Sequence, residues 1–292
     1  MAHRSFAPVL SPKQANLELE KLRSQKLGNY SLIFDLEHRT KKSKKIIETC
    51  AMFGSEMAGS RAIRIDLPKQ KTSLLLGSVN SPWPSMWLCH HNLMQRTSIF
   101  YVYRPVMVFR KSFWVLELMQ YRLSFMKSNR EIKPIEKSSG DIYKPVVPEV
   151  IFTPADIGFS FVFWDKCTYL GPRKVLGLKT QQFKLEPGPF QSFGLGDVSY
   201  IRISLCTSYG TIIRVEYFNE QNVLLKKMDL LRFKKINGNW IMSEIAMVNE
   251  LTGDRTTLRV KKVAFGCDVD GYLSEASLAE EVNKTAVKYT NI

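Results

Sequence analysis

Leu230-Leu231-Arg232-Phe233-Lys234-Lys235-Ile236-Asn237-Gly238-Asn239-Trp240-Ile241-Met242 is the stretch whose reading decides the fold. Asn237-Gly238 is the strongest two-residue hairpin signal in the chain, because a type I′ turn needs positive φ at both positions and Asn and Gly tolerate it best. The flanking runs therefore read as two antiparallel strands, 223–236 and 240–249. Further strands are predicted over 173–179, 198–207, 211–218 and 255–265. Turn sequences separate them at Ser208-Tyr209-Gly210, 219–222 and Thr252-Gly253-Asp254. Short turns between successive strands require antiparallel neighbours, so residues 151–292 are expected to form an antiparallel meander. The strand over 240–249 is apolar on both faces: Ile241, Ile245 and Met247 on one, Trp240, Met242, Ala246 and Val248 on the other. A sheet of this kind needs cover on both sides or holds an apolar ligand on one, and a sandwich core satisfies the same pattern.

The N-terminal half opens with a helix start signal, Ser11-Pro12-Lys13-Gln14, in which a hydroxyl cap precedes proline at the first helical position. Ala15, Leu19 and Leu22 form one apolar stripe, and Gly28 is a natural stop, so a helix over 11–27 is expected to lie across a sheet. Period-two alternation then predicts strands over 30–36, 62–67 and 73–76. The run Lys41-Lys42-Ser43-Lys44-Lys45 reads as a solvated turn or strand edge, with a nuclear-localisation or nucleic-acid motif as the alternative. Pro82, Trp83, Pro84 and Trp87 point to a loop, 98–103 and 106–109 to strands, and 113–125 to a helix or a strand. Residues 128–149 read as an exposed connection.

The 292 residues allow one large all-β domain or two ordinary ones, and 45% hydrophobic with 24% charged residues is a globular composition. The net charge of +15 is uneven: residues 1–150 carry 24 Lys and Arg against 12 Asp and Glu, residues 151–292 carry 18 against 15. That balance favours anionic partners, whether nucleic acid, acidic lipid heads or acidic protein faces. Five widely spaced cysteines without a CxxC predict neither a disulfide framework nor a zinc site. No window offers 18 uninterrupted apolar residues, so no transmembrane helix is expected, and MAHRSFAPVLSPK lacks the apolar core of a complete signal peptide.

Candidate chemistry is sparse. Cys89-His90-His91 is the one cluster resembling metal ligands, but neighbouring histidines on a strand point to opposite faces, so no metal site is expected. Asp268-Val269-Asp270-Gly271 starts like a calcium loop yet lacks the downstream bidentate Glu, and reads as a surface turn. No phosphate-binding glycine motif and no local nucleophile arrangement is present, so no cofactor and no catalytic residue is predicted. Aromatics interleaved with basic residues over 100–113 keep single-stranded nucleic acid as the alternative ligand class.

A family pattern runs through the second half. It comprises Ala155-Asp156-Ile157-Gly158-Phe159-Ser160-Phe161-Val162-Phe163-Trp164, then Gly171 with Val175-Leu176, Arg202, and Arg214-Val215-Glu216-Tyr217-Phe218. Leu224-Leu225-Lys226, the stretch Phe233 to Ile241 and the stretch Glu250 to Leu258 complete it. Over roughly residues 150–280 this resembles the outer-membrane lipoprotein-sorting family of the LolA-like superfamily, while 81–130 match no part of the pattern. The resemblance implies a mainly β fold with helices (α+β): an incomplete antiparallel β-barrel covered by helices, with an apolar cavity between sheet and lid. It implies one domain over 11–292, in which 11–27 is the covering helix, 30–150 the first, less regular part of sheet and lid, and 151–292 the meander. The implied function is non-enzymatic carriage of lipid or lipoprotein acyl chains in the periplasm. An anionic membrane surface or an envelope protein is a further partner, and an envelope structural module with a self-filled cavity is the other alternative. The cavity lining expected on this basis is Phe159, Phe161, Phe163, Trp164, Trp240 and Met242, with Leu19 and Leu22 on the covering helix.

Overall fold

The computed structural model describes residues 7–24, 28–41, 43–55, 62–69, 72–78, 81–92, 97–110, 113–125, 130–134, 145, 147, 149–157, 159–164, 166–188, 197–273 and 287–292; within 72–134 the description is of backbone alone, Leu75 excepted. The chain divides into two units of three segments each. Unit I takes Met1–Gln25, His38–Lys45 and Glu149–Leu258; unit II takes Lys26–Glu37, Ile46–Pro148 and Arg259–Ile292.

Unit II is built on β1 (Tyr30–Arg39), β2 (Lys44–Ser55), β3 (Ala62–Leu67), β4 (Thr72–Ser78), β5 (Ser81–Asn92), β6 (Thr97–Arg110), β7 (Phe113–Phe125) and β8 (Arg130–Pro134). Each neighbours its predecessor, so the order runs from β8 to β1 without a crossover. The segments of β1 and β2 nearest their connecting turn belong to unit I, where Thr40 N donates to Ser43 O at 2.9 Å. Lys41, Ser43, Lys44 and Lys45 are exposed there, as a solvated turn requires. In unit II, Ala51, Phe53 and Leu75 on one face are sealed by Val269 and Leu273. Arg64, 1% exposed, bonds Asp66 two residues along the same strand at 2.8 Å, which compensates a guanidinium that would otherwise be costly to bury. Gly54 is required by the Tyr30 ring, which occupies the space a Cβ would take.

Two expectations for this half are corrected, and one left open between helix and strand is decided. Residues 81–92 form strand β5, not a loop; their ladder with β6 begins at Met86, beyond both prolines, where missing N–H donors cost nothing. Residues 113–125 are strand, pairing with β6 over the whole of β7. The connection after 128 is not wholly exposed, because β8 lies within it and Val147 and Val150 are buried. The first half of the sheet is thus more regular than expected.

Unit I holds helices α1 (Pro12–Arg23) and α2 (Pro154–Ile157), a 3-10 turn over Ser160–Phe163, and strands β9 (Lys166–Val175), β10 (Leu178–Glu186), β11 (Tyr200–Cys206), β12 (Thr211–Phe218), β13 (Leu224–Ile236) and β14 (Asn239–Asn249). The start of β15 (Arg255–Phe265) belongs here, its end to unit II, where β16 (Thr290–Asn291) pairs with it. The order β9 to β14 follows the sequence, as a meander must. Asn237 and Gly238, at φ 49° and 84°, make the expected hairpin turn. The predicted single strand over 173–179 is instead the end of β9, a turn at Leu176-Gly177 and the start of β10. Leu176 and Gly177 have φ of 48° and 82°, the same turn geometry as Asn237-Gly238 with an unfavoured residue in first place. Pro172 sits on β9, the terminal strand of the path, where a proline is tolerated.

Helix α1 begins as expected, with a reciprocal capping box between Ser11 and Gln14 and buried Ala15 and Leu19. It ends at Arg23, short of Gly28. The helical cover is thinner than expected: among the described residues it amounts to α1, four residues of α2 and two 3-10 turns.

Candidate functional site

One face of the unit I sheet is a continuous apolar surface. Phe183, Leu185, Ile201, Ile203, Val215 and Met247 have no exposure at all. Cross-strand register aligns them: Phe183 opposes Ile203, Leu185 opposes Ile201, and Val215 opposes Met228, which opposes Met247. Residues 151–164 lie over part of this face. Phe152, Phe161, Val162 and Trp164 are buried there, and a small set of hydrogen bonds also holds the segment.

Asp156, 2% exposed, is the centre of that set. Its Oδ1 accepts from Tyr217 Oη at 2.7 Å, and its Oδ2 accepts from Lys226 Nζ at 2.7 Å and from Thr153 N at 2.8 Å. Lys226 also lies over the Tyr217 ring, 4.4 Å from its centroid. Burial pushes the Tyr217 hydroxyl well above its ordinary pKa, and the Asp156 charge and hydrogen bond add to the shift. Phe161 meets the edge of the Tyr217 ring at 6.2 Å. From the other side Arg23 of α1 donates to the carbonyls of Val162 and Trp164 at 2.9 and 3.1 Å. A strap before α1 is held likewise: Tyr169 Oη accepts from Leu10 N, and Gln181 Nε2 donates to Pro8 O.

Beneath the segment lies a small, partly open cleft of about 10 Å³, lined by Phe159, Ile212, Ile213, Val215, Met228, Leu230, Met242 and Ile245 with the stem of Arg214. The Arg214 guanidinium faces Asp229, which holds its pKa above the ordinary value. The cleft wall is otherwise apolar and includes two methionines, whose unbranched thioethers adapt to varied shapes. Phe159 stands at φ 50°, a left-handed conformation that costs a non-glycine residue on the order of 1–3 kcal/mol.

Of the eight lining residues expected from sequence, Phe159 and Met242 meet at the cleft. Phe161 and Trp164 are buried within the covering segment, and Leu19 is buried on α1 with Leu22 half-buried beside it. Phe163 and Trp240 are 45% and 48% exposed and lie away from the cleft. Trp240 packs against Phe233 and Tyr209 at 5.6 and 5.8 Å. Sequence reasoning missed Asp156, Tyr217, Lys226 and Arg23 as anchors. One signal existed: Asp156 is the sole carboxylate between Ala155 and Trp164 in an otherwise apolar run.

Among the described residues no three His, Cys, Asp or Glu side chains converge as metal ligands, and the Cys89-His90-His91 side chains lie outside that set. Cys50, Cys167, Cys206 and Cys267 are free thiols. No described helix is long and apolar enough to cross a membrane.

A family model described as "Uncharacterized protein" matches residues 149–279. No curated protein matches the sequence. Among solved structures, a DUF1329 family protein from Desulfovibrio piger aligns with TM-score 0.62 at 14% identity, covering 92% of this chain and 100% of that one. A putative outer membrane lipoprotein-sorting protein domain from Vibrio parahaemolyticus aligns with TM-score 0.59 at 13% identity, covering 92% and 97%. A LolA superfamily protein from Nitrosomonas europaea aligns with TM-score 0.51 at 13% identity, covering 90% and 99%. At these identities the likeness is one of fold, and in fold the chain is LolA-like, as the resemblance over 150–280 implied.

Proposed function

We propose that this chain is a non-enzymatic carrier of lipid or lipoprotein acyl chains that works in the periplasm, binding the chain between the unit I sheet and residues 151–164. The observation that supports this reading most is the apolar, methionine-containing cleft under a segment held by few polar anchors, on a sheet of LolA-like fold. Shielding an acyl chain from water is favourable by about 0.8 kcal/mol for each buried CH₂, so carriage requires apolar area and reversibility rather than reactive groups. The cleft has room for only about one water molecule, about 10 Å³, against the roughly 300–1,000 Å³ of ordinary ligand pockets, so loading requires the covering segment to lift. The Asp156 cluster and the two Arg23 bonds are the contacts that must give way.

The same small volume supports a second reading, an envelope interaction module whose cleft is filled by its own side chains. Titration with a fluorescent fatty acid separates the two. The carrier reading expects saturable uptake that Met242→Trp, by filling the cleft, weakens about tenfold or more. Absence of uptake by the unaltered protein would leave the module reading standing and reject carriage.

A further inference from the structure

An antiparallel meander places alternate turns at the same end of its sheet. In unit I these are Leu176-Gly177 between β9 and β10, Thr207 to Gly210 between β11 and β12, and Asn237-Gly238 between β13 and β14. Their proximity is direct for two of them, since Tyr209 lies 4.9 Å from Phe233 and 5.8 Å from Trp240, ring to ring. Four large apolar side chains protrude around this end: Leu176 (49% exposed), Tyr209, Leu231 and Trp240.

The charge at the same end is of one sign. Arg173, Lys174, Lys179, Arg232, Lys234 and Lys235 are all exposed. No Asp or Glu occurs within 173–183, 205–215 or 230–243. Glu244, in the strand beyond the turn, lies 3.5 Å from Arg232, and Lys235 lies over the Trp240 ring at 6.0 Å. At the opposite end, 219–223 contains Glu220 and 250–254 contains Glu250 and Asp254, with the exposed Lys41 of the β1–β2 turn beside Gly253. The hairpin end of unit I thus combines exposed aromatic and apolar side chains with basic ones, and no acidic residue lies in its turns.

We propose that the three hairpin turns of unit I form a docking end for an anionic lipid membrane surface. Leu176 would enter the outer acyl region, Trp240 and Tyr209 would sit at headgroup level, and the basic side chains would face the acidic heads. Tryptophan and tyrosine favour that interface because one end of the ring is apolar and the other polar. Leu176, protruding at its turn tip, gains by entering hydrocarbon and gains nothing on nucleic acid, which favours a membrane over a polynucleotide. Leucine at a left-handed turn position is locally unfavourable where Asn or Gly would serve, so its presence at 176 is explained by contact rather than by folding. This docking is independent of whether the cleft carries an acyl chain, since it uses none of the cleft residues.

The test is co-sedimentation of the full chain with phosphatidylcholine vesicles, with and without phosphatidylglycerol, alongside tryptophan emission. Binding is expected to the anionic vesicles alone, with a blue shift of emission that Trp240→Phe reduces. Neutralising two lysines, Lys234→Gln with Lys235→Gln, should weaken it about thirtyfold, at roughly 1 kcal/mol for each basic side chain near an anionic surface. Leu176→Asn, which suits the turn and so keeps the fold, should weaken binding while leaving fatty-acid uptake unchanged. Equal binding to neutral vesicles, indifference to these variants, or tighter binding to a single-stranded oligonucleotide than to anionic vesicles would overturn the proposal.

Discussion

Asp156 shows how one buried carboxylate can tie a short, irregular segment to a sheet. With Tyr217, Lys226 and Thr153 all donating to it, its carboxylate is fully compensated although almost wholly buried. Asp156→Ala leaves the Lys226 ammonium without its partner, and breaking such a buried pair costs about 3 kcal/mol. Urea unfolding should show that loss as a lower midpoint with an unchanged slope. The Tyr217 hydroxyl gives this cluster a pH signature. Its pKa is raised by burial first and by Asp156 next, so the folded state keeps a proton that an unfolded tyrosine releases near pH 10. The stabilisation is therefore present below pH 10 and is lost as pH climbs through the raised value. Tyr217→Phe should cost about 1 kcal/mol at neutral pH, for the missing hydrogen bond, yet lose stability less steeply above pH 10. Midpoints measured on both sides of that pH give the comparison, and parallel curves would contradict it. In unit II, Gly54→Ala must push the Tyr30 ring out of place, an overpacking expected to cost about 2 kcal/mol in thermal or urea unfolding.

At the scale of elements, two hairpins of equal geometry differ in how well the sequence announces them. Asn237-Gly238 is legible because both residue types favour left-handed backbone; Leu176-Gly177 is not, because Leu reads as strand and the preceding Val175 extends the run. Leu176→Asn should accordingly raise stability by about 0.5–1 kcal/mol, seen as a higher melting temperature. The same logic explains β5, where Pro82 and Pro84 carry the chemistry of a loop but lie ahead of the paired span with β6. Helix α1 was legible at its start through the Ser11–Gln14 box and less so at its end, since the backbone turns out of the helix at Ser24 without a glycine. The cleft was half legible. Alternation shows that Met242 shares a face with Trp240, but Met242 lines the cleft whereas Trp240, two residues beyond the Asn237-Gly238 turn, packs on Phe233 and Tyr209. Long-range polar anchors such as Arg23 to Val162 have no local signature at all. Arg23→Met removes both anchors of α1 on the 3-10 turn, and amide exchange over 160–164 should quicken at least tenfold while that of β11 and β12 stays unchanged.

At the scale of the whole molecule, each unit is assembled from three separated chain segments, so no linker composition marks a boundary and none could be read from the sequence. What the sequence did carry was the turn-and-strand pattern of residues 150–280, and the fold likeness to solved LolA-like structures extends over 90% or more of the chain. Within unit I, six exposed basic side chains stand at the hairpin end of the sheet, where they complement an acidic lipid surface. Carriage of an acyl chain is the central claim, and native mass spectrometry of the protein as purified, followed by organic extraction and lipid analysis, tests it most directly. The account predicts a phospholipid, fatty acid or acylated peptide bound at near-unit ratio and released on extraction. A protein that is empty as purified, and stays empty after incubation with fatty acid, would contradict it.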